Sequence, residues 1–363
     1  MLVANRGEIA VRIIRTLTRI GIESVAVYSD ADRYAPHVRA ATHAARLGPA
    51  PAAESYLVGE RLLDAAERFR ADAVHPGYGF VSEDPAFARA CTAAGLAWIG
   101  PTPEQIEQFG RKDSARALAR AAGVPLLDGT DVLHDVDDAL AAGFEIGYPV
   151  MLKSRAGGGG IGMQRCDTPA ELTAAFARVT RLAGLYFGDA ACFLERCVSP
   201  ARHVEVQIFG DGAGNVVALG ERDCSLQRRH QKLVEETPAP LLSATTRQAL
   251  ARAAIALGTS CRYRSAGTVE FVLDPATQTF AFLEVNTRLQ VEHAVTEAVT
   301  GIDLVEWMVR LADGSLPALT DASMSVRSRG VAIEVRLYAE DPGNGFRPSA
   351  GVITEWSPPA TAR

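Results

Sequence analysis

The sequence predicts a mixed architecture, an α/β lobe with a parallel sheet followed by an α+β region. Three observations carry it. Short apolar strands alternate with helical stretches up to about residue 105. A strand ending in Lys153 opens into a glycine-rich loop, Gly157 to Gly162, that leads into another strand and not into a helix. Farther on, polar residues recur at period two in otherwise apolar strands, as at Glu284 and Asn286.

In chain order, strands are expected at Leu2 to Ala4, Ser24 to Tyr28, Ala73 to His75 and Ala97 to Ile99. Ile9, Ile13, Leu17 and Ile20 recur at helical spacing, so a helix from Gly7 to Ile20 follows the first strand directly. These elements make a Rossmann-like N-terminal lobe, residues 1–110. Only four residues precede the turn at Asn5-Arg6-Gly7, which reads as a trimmed start. A helix from Asp113 to Ala122 opens a central region, residues 111–310, with a glycine flap at about 150–215. Its later strands are expected at Phe193 to Arg196, His203 to Phe209, Val216 to Glu221, Thr268 to Leu273 and Phe280 to Asn286. Helices are expected near Ala244 to Leu257 and Ile302 to Leu311. A strand from Val331 to Tyr338 begins a last lobe, residues 311–363, expected to be incomplete.

With 363 residues, 48% of them hydrophobic, the chain can bury the cores of two or three lobes. Its 43 acidic and 37 basic residues give a net charge of −6, so neither a nucleic-acid backbone nor an anionic membrane is attracted overall. The six cysteines form no CxxC pair and the seven histidines no HExxH, which argues against a disulfide framework or a zinc site. No apolar run reaches membrane-spanning length and no signal peptide fits before Asn5, so a cytoplasmic location is expected.

Three constellations carry chemistry. Lys112, Lys153 and the glycine loop offer charge and close backbone approach to a polyphosphate; the plain alternative is a glycine hairpin without a ligand. Glu270, Glu284 and Asn286 would form an oxygen-only site suited to magnesium on nucleotide phosphates, and their strand alternation argues against solvated carboxylates. Arg288-Leu289-Gln290-Val291-Glu292-His293, with Lys232 in Arg228-Arg229-His230-Gln231-Lys232, could hold a small oxyanion beside a proton acceptor. Taken singly, each of these residues reads as a surface salt bridge.

Jointly, several ordered motifs resemble the biotin carboxylase family, whose central region is an ATP-grasp fold. They are Ala4-Asn5-Arg6-Gly7-Glu8-Ile9-Ala10, His75-Pro76-Gly77-Tyr78-Gly79-Phe80, the Lys153 loop, Glu221-Arg222-Asp223-Cys224-Ser225 and Asn286 through His293. Within that family, Pro101-Thr102-Pro103-Glu104-Gln105, Phe187-Gly188-Asp189-Ala190 and Glu306 through Leu311 are most similar to urea carboxylase.

The resemblance implies that ATP phosphorylates bicarbonate to carboxyphosphate, whose breakdown delivers carbon dioxide to biotin on a separate carrier. It assigns Lys112, Lys153, Gly158, Gly159, Gly160 and Gly162 to the nucleotide, with Glu195 through Val198 along the adenine. His203 and Gln227 would lie nearer the ribose, and His230 also on the ATP side. Glu270, Glu284 and Asn286 would bind Mg2+ or Mn2+. Lys232, Arg288, Gln290 and the Val291 backbone would hold bicarbonate, with Glu292 as its base. Arg336 would stabilise the enolate-like oxygen of biotin's ureido group.

The implied partners are biotin carboxyl carrier and carboxyltransferase domains or subunits, and a homodimer were the last lobe complete. An incomplete lobe would expose apolar surface. Arg155, Arg196 and Ala294 depart from the family pattern, Ala294 standing where proline is common. Rival readings are an acetyl- or propionyl-CoA carboxylase-type subunit, another ATP-grasp ligase such as the carbamoyl-phosphate synthetase large subunit or a purine-pathway carboxylase, and an inactive nucleotide-binding fragment.

Overall fold

The structure is a computed structural model that describes residues 1–155, 162–229, 231–319, 328–355 and 357. The apolar face of the first helix, Gly7–Arg19, is buried at Ile9, Ala10, Ile13, Ile14 and Leu17. It follows the first strand of a parallel sheet made of β1 (Leu2–Val3), β2 (Val25–Ser29), β3 (His43–Gly48), β4 (Ala73–His75) and β5 (Ala97–Trp98), in the order β3-β2-β1-β4-β5. Strand β1 is as short as the sequence suggests. Strand β3 was not expected: among its six residues only Leu47 is a large aliphatic, so no apolar run marks it. Register against β2 makes it a strand.

A small antiparallel sheet comes next, with β6 (Val150–Ser154) between β7 (Met163–Cys166) and β8 (Cys192–Arg196). Val150, Leu152, Cys166 and Leu194 face inward and share a core with Leu172, Ala175 and Val179 of helix Pro169–Phe187. This leaves Lys153 on the other side of β6, as period two requires. Gly158, Gly159, Gly160 and His230, all expected at the nucleotide, lie outside the described residues.

The largest sheet is antiparallel, in the order β13-β12-β9-β10-β11-β14. Its strands are β9 (Arg202–Asp211), β10 (Val216–Arg228), β11 (Gln231–Thr237), β12 (Arg264–Leu273), β13 (Phe280–Asn286) and β14 (Ala332–Val335). Along β9, Val204, Val206 and Ile208 pack with Leu250, Ala254 and Leu257 of helix Ala244–Ser260. The alternate positions, His203, Glu205 and Gln207, turn to the opposite face. At the far end of that face Phe209, Val217 and Leu289 join the helices Gly7–Arg19 and Leu304–Ala312 in one core, so this sheet and the first lobe are packed together. Arg12 reinforces the junction through Glu297 (2.7 Å) and Asp303 (3.0 Å).

Strand β14 extends the large sheet along β11, and just beyond it the Arg336 amide donates to Leu233 O at 2.9 Å. On this strand the exposed Ile333 and Val335 alternate with half-buried Glu334 and Arg336. Among the described residues no helix is long and apolar enough to cross a membrane. All six cysteines are free, four of them buried and Cys197 and Cys261 half-buried.

Candidate active site

The face of β9 that carries Glu205 and the end of β11 that carries Lys232 bring opposite charges together. Lys232 Nζ donates to Glu205 Oε2 (2.5 Å), Glu270 Oε1 (2.7 Å) and Glu292 Oε1 (2.8 Å). Burial pulls this ammonium down, but the three carboxylates outweigh it and hold Lys232 well above the usual lysine range. Burial likewise pushes Glu270 up, and Lys232 and His203 overcome it to keep Glu270 below the usual carboxylate range. His203 Nε2 stands 2.7 Å from Glu270 Oε2, and Gln227 Nε2 meets His203 Nδ1 at 2.9 Å.

Behind Glu205 lies Arg222, a fully buried guanidinium with four hydrogen-bond partners. It reaches Glu205 Oε1 (2.5 Å), Gln207 Oε1 (2.8 Å), Thr296 Oγ1 (2.9 Å) and Thr268 Oγ1 (3.1 Å). A buried arginine is tolerable only when satisfied in this way. Arg222 therefore fixes Glu205, and Glu205 fixes one side of Lys232.

Glu292, fully buried, stands at the N-terminal boundary of helix His293–Thr300 without a capping hydrogen bond from its side chain. Its second oxygen accepts from Arg336 Nη2 at 2.9 Å. Pairing of β14 with β11 is what brings Arg336 here across a sequence gap of 44 residues.

Arg288 makes its contacts elsewhere. It donates to Glu83 Oε2 (2.8 Å), Gln290 Oε1 (2.6 Å) and Asn286 Oδ1 (2.9 Å). The Asn286 oxygen expected on a cation thus accepts from Arg288, while its amide donates to Glu270 Oε1 at 2.8 Å. Val291 lies on the turn just before Glu292, where its carbonyl faces His293 Nδ1 at 3.3 Å. Glu284 stands directly opposite Glu270 in the β12–β13 ladder. Burial first, then the Glu270 charge, raises its pKa. Two carboxylates so placed fit a hard divalent cation, which would relieve their repulsion.

The surroundings of Lys153, expected at the nucleotide, are built differently. Glu195, buried on β8, is ion-paired with both Lys153 and Arg116, and the Arg116 guanidinium lies 5.7 Å from the centre of the Phe193 ring. Lys112 Nζ donates to Ser154 O at 3.3 Å. Gly162 closes the described edge of the loop, its carbonyl accepting from Ser154 N at 2.8 Å, and Val198 is half-buried just past β8. Of the departures from the family pattern, Arg155 pairs with Asp189 (2.7 Å) and Arg196 with Asp128 (2.9 Å); Ala294 lies in the first turn after Glu292.

Sequence reasoning gave no role to Glu83, Arg116, Glu205, Arg222 or Glu235. Glu205 had a signal, the polar-apolar alternation from His203 to Ile208. Arg116 and Glu83 had none, because each meets its partner only in the folded chain.

A small antiparallel sheet whose Lys153, with Lys112 beside it, lies within electrostatic reach of Glu284 on a large sheet bearing paired carboxylates is the architecture of an ATP-grasp fold. Family models agree: one described as biotin carboxylase, N-terminal domain, matches residues 1–106, and one described as carbamoyl-phosphate synthase L chain, ATP binding domain, matches residues 111–319. Biotin carboxylase 2 of Bacillus subtilis is 48% identical over 99% of this chain and 80% of its own length. Urea amidolyase of Saccharomyces cerevisiae is 52% identical over the whole chain, which spans only 20% of that protein. The biotin carboxylase domain dimer of Hydrogenobacter thermophilus 2-oxoglutarate carboxylase, solved with MgADP, ADP and bicarbonate, superposes with a TM-score of 0.94. It is 42% identical, over 99% of this chain and 79% of that one. The chain belongs to the biotin carboxylase family.

Proposed function

We propose that the chain carboxylates biotin at the expense of ATP and bicarbonate, as the first half-reaction of a biotin-dependent carboxylase of the urea carboxylase type. The observation that carries this reading is the Lys232 cluster. The largely buried Lys232 ammonium contacts Glu292, a fully buried carboxylate whose other oxygen is held by Arg336.

Lys232, Arg288, Gln290 and the Val291 backbone hold bicarbonate, and Glu292 accepts its proton. The freed oxygen then attacks the terminal phosphorus of ATP, the bond to ADP breaks, and carboxyphosphate forms. Lys112, Lys153 and Gly162 with the flap glycines hold the nucleotide phosphates; Glu195 to Val198 line the adenine, and His203 and Gln227 lie by the ribose. Glu270 and Glu284, with Asn286 beside them, would hold magnesium, which would supply positive charge to those phosphates. Carboxyphosphate breaks down to carbon dioxide and phosphate, the phosphate takes the proton from biotin's ureido N–H, and that nitrogen bonds to the carbon dioxide while Arg336 faces the oxyanion that develops on the ureido oxygen.

The lobes are residues 1–110, 111–310 and 311–363, and the partners are a biotin carrier and a carboxyltransferase. The urea type is supported by the sequence blocks named above and by the likeness to urea amidolyase. An acyl-CoA carboxylase type is the second reading, since the biotin carboxylase of Bacillus subtilis is nearly as similar.

The test is ADP release by the purified chain with Mg-ATP and bicarbonate, with and without free biotin. Biotin-stimulated turnover that disappears in Glu292→Gln is expected. Turnover indifferent to bicarbonate, or retained in Glu292→Gln, would sink the reading.

A further inference from the structure

Arg336 touches two carboxylates, and they differ in kind. Its Nη2 donates to Glu292 at 2.9 Å, but its Nε lies 2.6 Å from Glu235 Oε1 on β11. Glu235 is 0% exposed, and neither of its oxygens, nor Arg336 Nε, is in an aligned hydrogen bond. A buried carboxylate without hydrogen bonds is costly, so a cation against it is held there by the same energy.

Glu292 cannot serve as a fixed anchor under the proposed function. A carboxylate that takes up a proton loses its charge, and with it much of its hold on a guanidinium. At that moment Arg336 must still point at the oxyanion. Glu235 lies on the neighbouring strand, out of contact with solvent, and its contact survives protonation of Glu292.

We propose that Glu235 is a positioning residue that anchors Arg336 from behind while Glu292 exchanges its proton. The inference rests on the reading in which Arg336 faces biotin. It adds that the guanidinium is aimed from β11 as well as carried beyond β14.

A double-mutant cycle on the full chain separates the two, with free biotin as the probe. Glu235→Gln keeps the shape and removes the charge. It should lower biotin-dependent turnover about 100-fold, as a displaced catalytic group does, with the Kd for Mg-ATP unchanged. Arg336→Ala should lose at least as much, and Glu235→Gln/Arg336→Ala should be no worse than Arg336→Ala alone. Multiplying losses in the double variant, or wild-type turnover in Glu235→Gln, overturns the inference while leaving the function intact. Wild-type turnover in Arg336→Ala overturns the role of Arg336 itself, and the inference with it. Should Glu235→Gln fail to bind Mg-ATP, Glu235→Asp is read on the same cycle. A partial loss that vanishes in the Arg336→Ala background supports the anchor, and an independent loss refutes it.

Discussion

Lys153 and Lys232 are both largely buried lysines, and their surroundings are opposite. Lys153 shares a single carboxylate, Glu195, with Arg116, and Lys112 stands close by. Burial, then the Lys112 charge, pulls the Lys153 pKa down to about 8, against the charge of Glu284. Lys232 has three carboxylates to itself. One pole is short of negative charge and the other already holds it. Under the proposed function, a polyphosphate would gain most at the first pole, whereas at the second a bicarbonate would compete with carboxylates that are part of the protein. The difference teaches that neutralised charge organises chemistry here, and unneutralised charge recruits the ligand.

Breaking the acid-rich pole should have the largest effect. Lys232→Met leaves Glu205, Glu270 and Glu292 buried without their shared cation. Removing one partner of a buried ionic network costs about 3–5 kcal/mol, so urea denaturation should show a loss of that order, with biotin-dependent turnover abolished. A stability equal to wild type would mean that Arg222, Arg336 and His203 neutralise the cluster unaided. At the cation-rich pole, Lys153→Met leaves Glu195 with Arg116. Stability should hold within about 1 kcal/mol while affinity for Mg-ATP falls about 10- to 100-fold, the worth of one charged hydrogen bond. Calorimetric titration reads this, and the reverse pattern, intact binding with lost stability, would make Lys153 a structural cation.

How much of this was legible in sequence follows from how local each signal is. The helix Gly7–Arg19, β6 and β13 carry their patterns within a dozen residues, and the structure has them within a residue or two of expectation. Strand β3 lacks apolar periodicity, and β11 and β14 become neighbours only across a sequence gap. For the site, types and spacing pointed to Lys232, Glu270, Glu292 and Arg336, which do converge. Glu235 behind Arg336 was hidden, because a supporting contact is a property of the tertiary fold and leaves no motif; Arg222 was visible in the Glu221 to Ser225 motif, but its place behind Glu205 was not. Asn286 shows the converse. Its place on the strand was legible, but not that Arg288 takes its oxygen.

The smallest expected effect sharpens the comparison from the acid-rich side, where Glu334 is a carboxylate too many. It faces Glu235 across the β11–β14 ladder. Burial, then Glu235 and Glu292, pushes its pKa up to about 7, against Arg336 and Arg222. In the unfolded chain a glutamate titrates near about 4.3. Between these values the folded protein keeps a proton that the unfolded chain has released, so stability falls as pH rises through the window and is greatest below it. Glu334→Gln removes the titrating group. Its unfolding free energy should decline less from about pH 4.5 to pH 7 and should exceed that of the wild type at pH 8 by about 1–2 kcal/mol, discounted for the partial exposure of the side chain. Urea unfolding at several pH values measures both curves. Parallel curves would mean that Arg336 already neutralises Glu334, and that the acid-rich pole ends at Glu235.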